Sequence, residues 1–195
     1  GEGADQLGFQ VTFFRSRTLH PQSNPSRFAP RQLMFAHAAL ALPGEGQLLH
    51  AEVAGRAGPA GALFDTTNTA LALSGWSMQR TAVDHYKILI PTEHFTLELA
   101  AFTALAPVLR GDDGFSLKGP TSQFASYYYS RPQLSVSARV TFKKSSGSLG
   151  VFIEISGVQR GMYDFALDVA LSNQAHDNFT DFQAVSAIWP DPAAY

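Results

Sequence analysis

The strongest constraint on the fold is a strict two-residue alternation at residues 134–142. Apolar and polar side chains alternate here without a break, with one face formed by Leu134, Val136, Ala138, Val140 and Phe142. Successive side chains of a β-strand point to opposite faces, so this segment predicts a half-buried strand. A second run at residues 163–171 alternates in the same way, whereas helical spacing of apolar residues is scarce. The chain is therefore predicted to be all-β.

Further short strands are predicted between clusters of Gly, Pro, Asn and Asp, at residues 7–17, 32–42, 47–54, 70–76, 85–90, 94–103, 125–130 and 149–156. So many short strands in 195 residues favour one antiparallel β-domain, either a barrel or a curled β-sandwich. Residues 143–195 are expected to add closing strands. A long loop is predicted at residues 107–124, where glycines flank charged residues and suggest a lid or rim.

Composition excludes several classes of function. Only 15% of residues are charged and the net charge is −2, so no basic surface for nucleic acid is expected. There is no cysteine, and the six histidines are dispersed, so neither a metal site nor a cofactor is predicted. No apolar run approaches the roughly 20 residues of a membrane-spanning helix.

Several predicted strands are apolar on both faces. Phe13 is followed by Phe14, and Met34 by Phe35. One face of such a strand would pack in the core, and the other could be covered by a bound apolar ligand, a second domain or a membrane surface. The alternative is a well-filled core.

Four strings then resemble consecutive blocks of the carotenoid 1,2-hydratase/AttH family of double lipocalin-like proteins. They are LGFQVTFFRSR (7–17), SRFAPRQLMFAHAAL (26–40), GDDGFSLKGP (111–120) and ASYYYSRPQL (125–134). The resemblance covers residues 7–142 and implies a lipocalin-like fold. It also implies binding of a lipid, isoprenoid or polyene, in the periplasm or cell envelope of a bacterium, with the cytoplasm as the alternative.

The same resemblance implies a second possibility, a hydratase that adds water to an alkene, or a polyene cyclase. A third follows from two missing blocks. The family's Glu-Trp-Trp-Tyr block does not precede the first string, and residues 145–195 lack the Ala-Trp-x-Asp-x-Glu-Trp block that opens the second domain. The chain is then expected to be a structural module that packs on a second lipocalin-like domain or on another copy of itself.

Three residues are candidates for catalysis. His37 lies in an apolar alternation and matches a family block, so it could act as a general acid or base. Tyr127 and Tyr129 share a face of one strand and could hold a polyene or stabilise cationic character. The alternatives are a hydrogen-bonded core histidine, and tyrosines present only because they favour strands.

Six further residues are candidates for ligand binding. Phe13, Phe35 and Trp76 would supply apolar walls. Arg15, Arg17 and Lys118 would hold a carboxylate or a lipid headgroup. The alternatives are core packing for the aromatic residues, solvated strand ends for the arginines, and a turn capped by aspartate side chains around Lys118.

Overall fold

A computed structural model describes residues 8–18, 20–21, 23–42, 47–58, 61–65, 67–109, 111–117, 120, 125–132, 134–143, 149–158, 166–172 and 180–187. The described side chains lie between Gly8 and Phe142.

Fifteen strands follow one another along the described residues. They are β1 (Gly8–Arg17), β2 (Gln32–Leu42), β3 (Gln47–Arg56), β4 (Leu63–Phe64), β5 (Ala70–Leu73), β6 (Trp76–Ala82), β7 (His85–Pro91), β8 (Phe95–Phe102), β9 (Val108–Leu109), β10 (Phe115–Leu117), β11 (Ala125–Pro132), β12 (Ser135–Lys143), β13 (Leu149–Val158), β14 (Ala166–Ser172) and β15 (Thr180–Ala187).

The strands form two antiparallel sheets. The first has the order β10-β11-β14-β15-β1-β2-β3, with β9 beside β11, and the second has the order β13-β12-β8-β7-β6-β5-β4. The chain makes β1–β3 as a meander in the first sheet and β4–β8 as a meander in the second. It then returns to the first sheet for β9–β11, and β15 finally pairs with β1.

One apolar core lies between the two sheets. The first sheet contributes the inner faces of β1 and β2, with Phe9, Val11, Phe13, Met34, Ala36, Ala38 and Leu40. The second contributes one face each of β6, β7, β8 and β12, including Trp76, Met78, Ile88, Ile90, Phe95, Leu97, Val136 and Val140. The alternation at residues 134–142 correctly predicted which side chains of this segment lie in the core. The all-β, antiparallel, lipocalin-like fold class is confirmed, and the described strands form two open sheets, which is the curled sandwich rather than the closed barrel.

Two boundaries differ from prediction because of tight turns. The strand predicted at residues 70–76 ends at Leu73, where Ser74 and Gly75 turn the chain with φ of 52° and 85°. Two successive positive φ values suit the twist of a two-residue hairpin, so Trp76 begins a new strand. The loop predicted at residues 107–124 contains β9 and β10. Before β10, Asp113 and Gly114 form a tight turn in which Asp112 and Phe115 exchange two backbone hydrogen bonds of 2.8 Å.

A helix of membrane-spanning length and hydrophobicity does not occur among the described residues.

Candidate functional site

A polar cluster lies at the point where β11 of the first sheet meets the β6–β7 hairpin of the second. Tyr129 and Arg131 alternate along β11 and therefore share a face. Tyr129 packs against the apolar core, and Arg131 is only 6% exposed. β11 thus sends one phenol and one guanidinium group into the interior of the sandwich.

The second sheet contributes the opposing groups. Tyr86 lies on the inner face of β7 and is 4% exposed, and its register partner on β6 is Arg80. Asp84 sits in the turn between these strands with φ of 62°, a conformation that aspartate tolerates better than most residues. Its carbonyl accepts a hydrogen bond of 3.2 Å from the amide of Thr103. The turn therefore holds Asp84 in one place.

Arg131 and Asp84 form an ion pair between the two sheets. Nη2 of Arg131 meets Oδ1 of Asp84, whereas the buried Nε of Arg131 has no hydrogen-bond partner among the described residues. We call Arg80, Asp84, Tyr86, Tyr129 and Arg131 the arginine–tyrosine cluster.

The electrostatics of the arginine–tyrosine cluster favour neutral phenols and a net positive charge. Burial raises the pKa of Tyr86, Tyr129 raises it further, and Arg80 opposes both effects. Burial also raises the pKa of Tyr129, again opposed by Arg80. Burial lowers the pKa of Arg131, and the positive charge of Arg80 lowers it too. Both tyrosines are therefore protonated donors at neutral pH, beside two arginines and one aspartate.

This arrangement suits binding and orientation of a polar group. Guanidinium and phenol groups offer several hydrogen-bond donors at the edge of an apolar interior, where water competes weakly. No group of three or more histidine, aspartate or glutamate residues that could hold a metal ion occurs in the described part of the chain.

The predicted site residues separate into different regions. Phe13 and Trp76 are core residues, 1% and 2% exposed, and Trp76 Nε1 donates a hydrogen bond of 2.9 Å to the carbonyl of Pro91. Arg15 is half-buried, with its guanidinium carbon 4.4 Å from the ring centroid of Phe64. Of the predicted site residues whose side chains the structure describes, Tyr129 alone belongs to the arginine–tyrosine cluster.

Three other predicted site residues lie wholly or in part outside the described residues. Lys118 and the side chains of Arg17 and Tyr127 lie outside the described part. The backbone of Tyr127 pairs with Phe115 and Leu171.

Phe35 and His37 lie on the outer face of the first sheet, turned away from Phe13 and Trp76. Phe35 stacks on Phe14 with ring centroids 4.7 Å apart, and His37 meets the edge of Phe14 at 5.6 Å. His37 also lies 6.3 Å from His50, measured between ring centroids. Alternation correctly predicted that Phe35 and His37 share a face. That face is the outer one, so neither side chain lies between the two sheets.

Two grooves of about 540 and 670 Å³ lie on the outer face of the second sheet. Lys87 borders both grooves, and His85 contacts Phe102 in the first with ring centroids 4.4 Å apart. The predicted site residues with described side chains line neither groove.

Sequence reasoning missed Arg80, Asp84, Tyr86 and Arg131. Arg131 could have been predicted, because this residue follows Tyr129 by two positions in the same strand and shares its face. No alternation marks Asp84, which lies in the turn between β6 and β7. In the structure His85 is exposed and its Nδ1 lies 2.7 Å from the carbonyl of Val83, while Asp84 turns toward Arg131.

Comparison with known proteins shows the family to which the chain belongs. The family model described as AttH-like matches residues 1–157. The chain belongs to the AttH-like family. The resemblance found in the four sequence strings is thereby confirmed.

One solved structure similar to this AttH-like chain is that of a candidate AttH from Nitrosomonas europaea. It shares 29% sequence identity with a TM-score of 0.60, and the match covers 96% of this chain. The same match covers 53% of the relative, so this chain spans about half of that protein's length. Among curated proteins, no sequence matches.

Proposed function

We propose that this chain binds a hydrophobic small molecule, a lipid, isoprenoid or polyene, between its two sheets. The polar end of the molecule would lie at the arginine–tyrosine cluster. The observation that carries the proposal is the position of that cluster, whose Tyr86 and Arg131 are buried at the edge of a core rich in aromatic and aliphatic side chains. Apolar binding sites with a few convergent polar groups are typical of small-molecule binding proteins. Membership of the AttH-like family supports the same proposal.

The binding proposal is tested by extraction and by titration. Protein purified from native cells is extracted with organic solvent, and the extract is compared by mass spectrometry with that of a similar-sized protein. Displacement of the neutral dye Nile red by oleyl alcohol then gives an affinity. Tyr129→Ala is expected to weaken it by roughly tenfold, since an aromatic contact is lost. The control is Val83→Ala, because Val83 is 71% exposed on the neighbouring turn. Failure to recover lipid, with equal dye binding by both variants, would contradict the proposal.

A second candidate function is packing on another β-domain or on a second copy of the chain. It is supported by the outer face of the first sheet, where Phe35 is 41% exposed although it stacks on Phe14, and where Leu33 is 39% exposed. Contiguous exposed apolar surface often marks an interface. Light scattering at high protein concentration tests this function. Phe35→Ser should shift an oligomer toward monomer, and a wild-type monomer that binds no apolar dye at this face would count against it.

A hydratase or cyclase remains the third candidate. It is supported by the neutral phenol of Tyr129, whose ring lies against the core and could face a cationic intermediate. Incubation of a linear polyene with the protein in isotope-labelled water should then place the label in the product. The variant Tyr129→Phe separates the ring from the hydroxyl group, and His37→Ala tests the outer-face histidine. Label incorporation unchanged in both variants would remove these residues from the reaction.

A further inference from the structure

The arginine–tyrosine cluster contains more positive charge than it neutralises. Arg80 and Arg131 carry two positive charges, and Asp84 carries the one negative charge among its members. The pairing of Asp84 with Arg131 satisfies one edge of that guanidinium and leaves Nε without a partner, although Arg131 is 6% exposed. A buried N–H group left unpaired is costly to the folded state. Nε of Arg131 can therefore donate a hydrogen bond to an acceptor other than Asp84.

The surrounding groups restrict what that partner can be. Arg80, Tyr86 and Tyr129 are close enough to influence one another electrostatically, and each presents a donor. Because the pKa values of both tyrosines are raised, their hydroxyl groups stay protonated and do not repel an anion. A guanidinium N–H group forms a stronger, charge-assisted hydrogen bond with a carboxylate oxygen than with a neutral hydroxyl group.

We propose that the arginine–tyrosine cluster recognises a carboxylate at the end of an apolar ligand, such as a fatty acid or an acidic isoprenoid. This inference rests on the proposed binding function and adds the charge of the ligand. The carboxylate accepts hydrogen bonds from Nε of Arg131 and from the phenols, and Arg80 supplies the second positive charge. The apolar part of the ligand contacts the core side chains that pack around Tyr129.

A purely structural role would not need all five residues of the arginine–tyrosine cluster. A polar link between the two sheets is already supplied by the ion pair of Arg131 with Asp84. It does not require Arg80, which is exposed, nor a second phenol beside the first. Arg80 is therefore the residue whose removal separates ligand recognition from folding.

The test uses the full chain and two ligands of equal length, oleate and oleyl alcohol, each displacing Nile red. Oleate is expected to bind roughly tenfold more tightly or better, the value of one charge-assisted contact. Arg80→Gln should bring that ratio close to one, mainly because the affinity for oleate falls. The matched control is Lys87→Gln, which removes a positive charge from the outer face of β7 and should keep the wild-type ratio.

The two levels of the proposal fail in different ways. If neither ligand displaces the dye, the binding function itself is wrong. If both bind equally to the wild-type protein, the binding function stands and carboxylate recognition is overturned. An equal loss of preference in Arg80→Gln and Lys87→Gln would also overturn it, because long-range charge alone would then explain the preference. The double variant Asp84→Asn/Arg131→Gln removes the ion pair as a unit. If it remains folded by circular dichroism, it should lose the preference too.

Discussion

Arg131 on β11 forms an ion pair with Asp84 in the β6–β7 turn, and this contact joins the two sheets at the edge of their shared core. The side chain of Arg131 is 8% exposed and that of Asp84 is 22% exposed. An ion pair this buried gives little net stability compared with an apolar pair, but removal of one partner leaves the other charge uncompensated. The pair therefore determines how the two sheets are arranged and adds little to the free energy of unfolding.

The first prediction concerns this ion pair. Asp84→Asn keeps a side chain that tolerates positive φ but leaves the guanidinium without a counter-charge. We expect the free energy of unfolding to fall by about 3 kcal/mol, measured by urea denaturation. Arg131→Met should cost a similar amount, and the double variant should lose less than the sum of the two.

Asp113→Asn provides the matched control. Asp113 also has a positive φ, of 49°, but it is exposed in the turn before β10. This variant should remain within about 0.5 kcal/mol of the wild type. Strictly additive losses in the double variant of Asp84 and Arg131 would show that the two residues do not interact.

The second prediction is a loss of stability at alkaline pH. The folded protein holds the phenolic protons of Tyr86 and Tyr129 more tightly than the unfolded chain, because burial raises both pKa values above 10.0. The stability that this difference contributes is complete below pH 10.0. It is lost as pH rises through the folded pKa values, since the unfolded state then binds fewer protons. Urea denaturation at several pH values from 8 upward, with tyrosinate absorbance followed in parallel, measures the effect.

Replacement of these tyrosines tests the assignment. The double variant Tyr86→Phe/Tyr129→Phe should show a shallower fall in the free energy of unfolding above about pH 10. An unchanged slope in this variant would mean that other groups cause the alkaline loss.

Sequence periodicity predicted the strands well but could not choose a face where both faces are apolar. In β12, apolar residues alternate with serine, arginine and threonine, so only one face could be the inner one, and this prediction is confirmed. In β2 the set with Phe35 and His37 competes with the set containing Met34 and Ala36, and periodicity favours neither. A shift by one residue exchanges the two faces, so only pairing with a second sheet decides between them.

The candidate site was predictable only in part, for a related reason. Tyr129 and Arg131 lie two residues apart, and alternation alone places them on one face. Asp84 and Tyr86 belong to a hairpin in the other sheet, and their contact with β11 arises from the packing of two sheets. No local pattern in the sequence encodes that contact.

The third prediction tests which face of the first sheet is the inner one. Phe13 is 1% exposed, so Phe13→Ala should lower the free energy of unfolding by about 3–5 kcal/mol. Phe35 is 41% exposed, so Phe35→Ala should cost about 1 kcal/mol, mainly through the lost stacking on Phe14. Both variants are compared by urea denaturation at neutral pH. A larger loss for Phe35 than for Phe13 would place the core on the other side of the sheet.

The fourth prediction separates Trp76 from the recognition of the ligand's polar end. Trp76 is 2% exposed and its Nε1 donates to the carbonyl of Pro91, so Trp76→Phe removes both volume and a hydrogen bond. We expect the free energy of unfolding to fall by about 2 kcal/mol. The preference for oleate over oleyl alcohol should remain, because Trp76 is not a member of the arginine–tyrosine cluster. Leu89→Ala, at a residue 39% exposed on the outer face of β7, serves as the control for mutation of the second sheet. Loss of the preference in Trp76→Phe, with Leu89→Ala unaffected, would mean that the carboxylate lies beside Trp76, and the site would have to be moved toward the centre of the core.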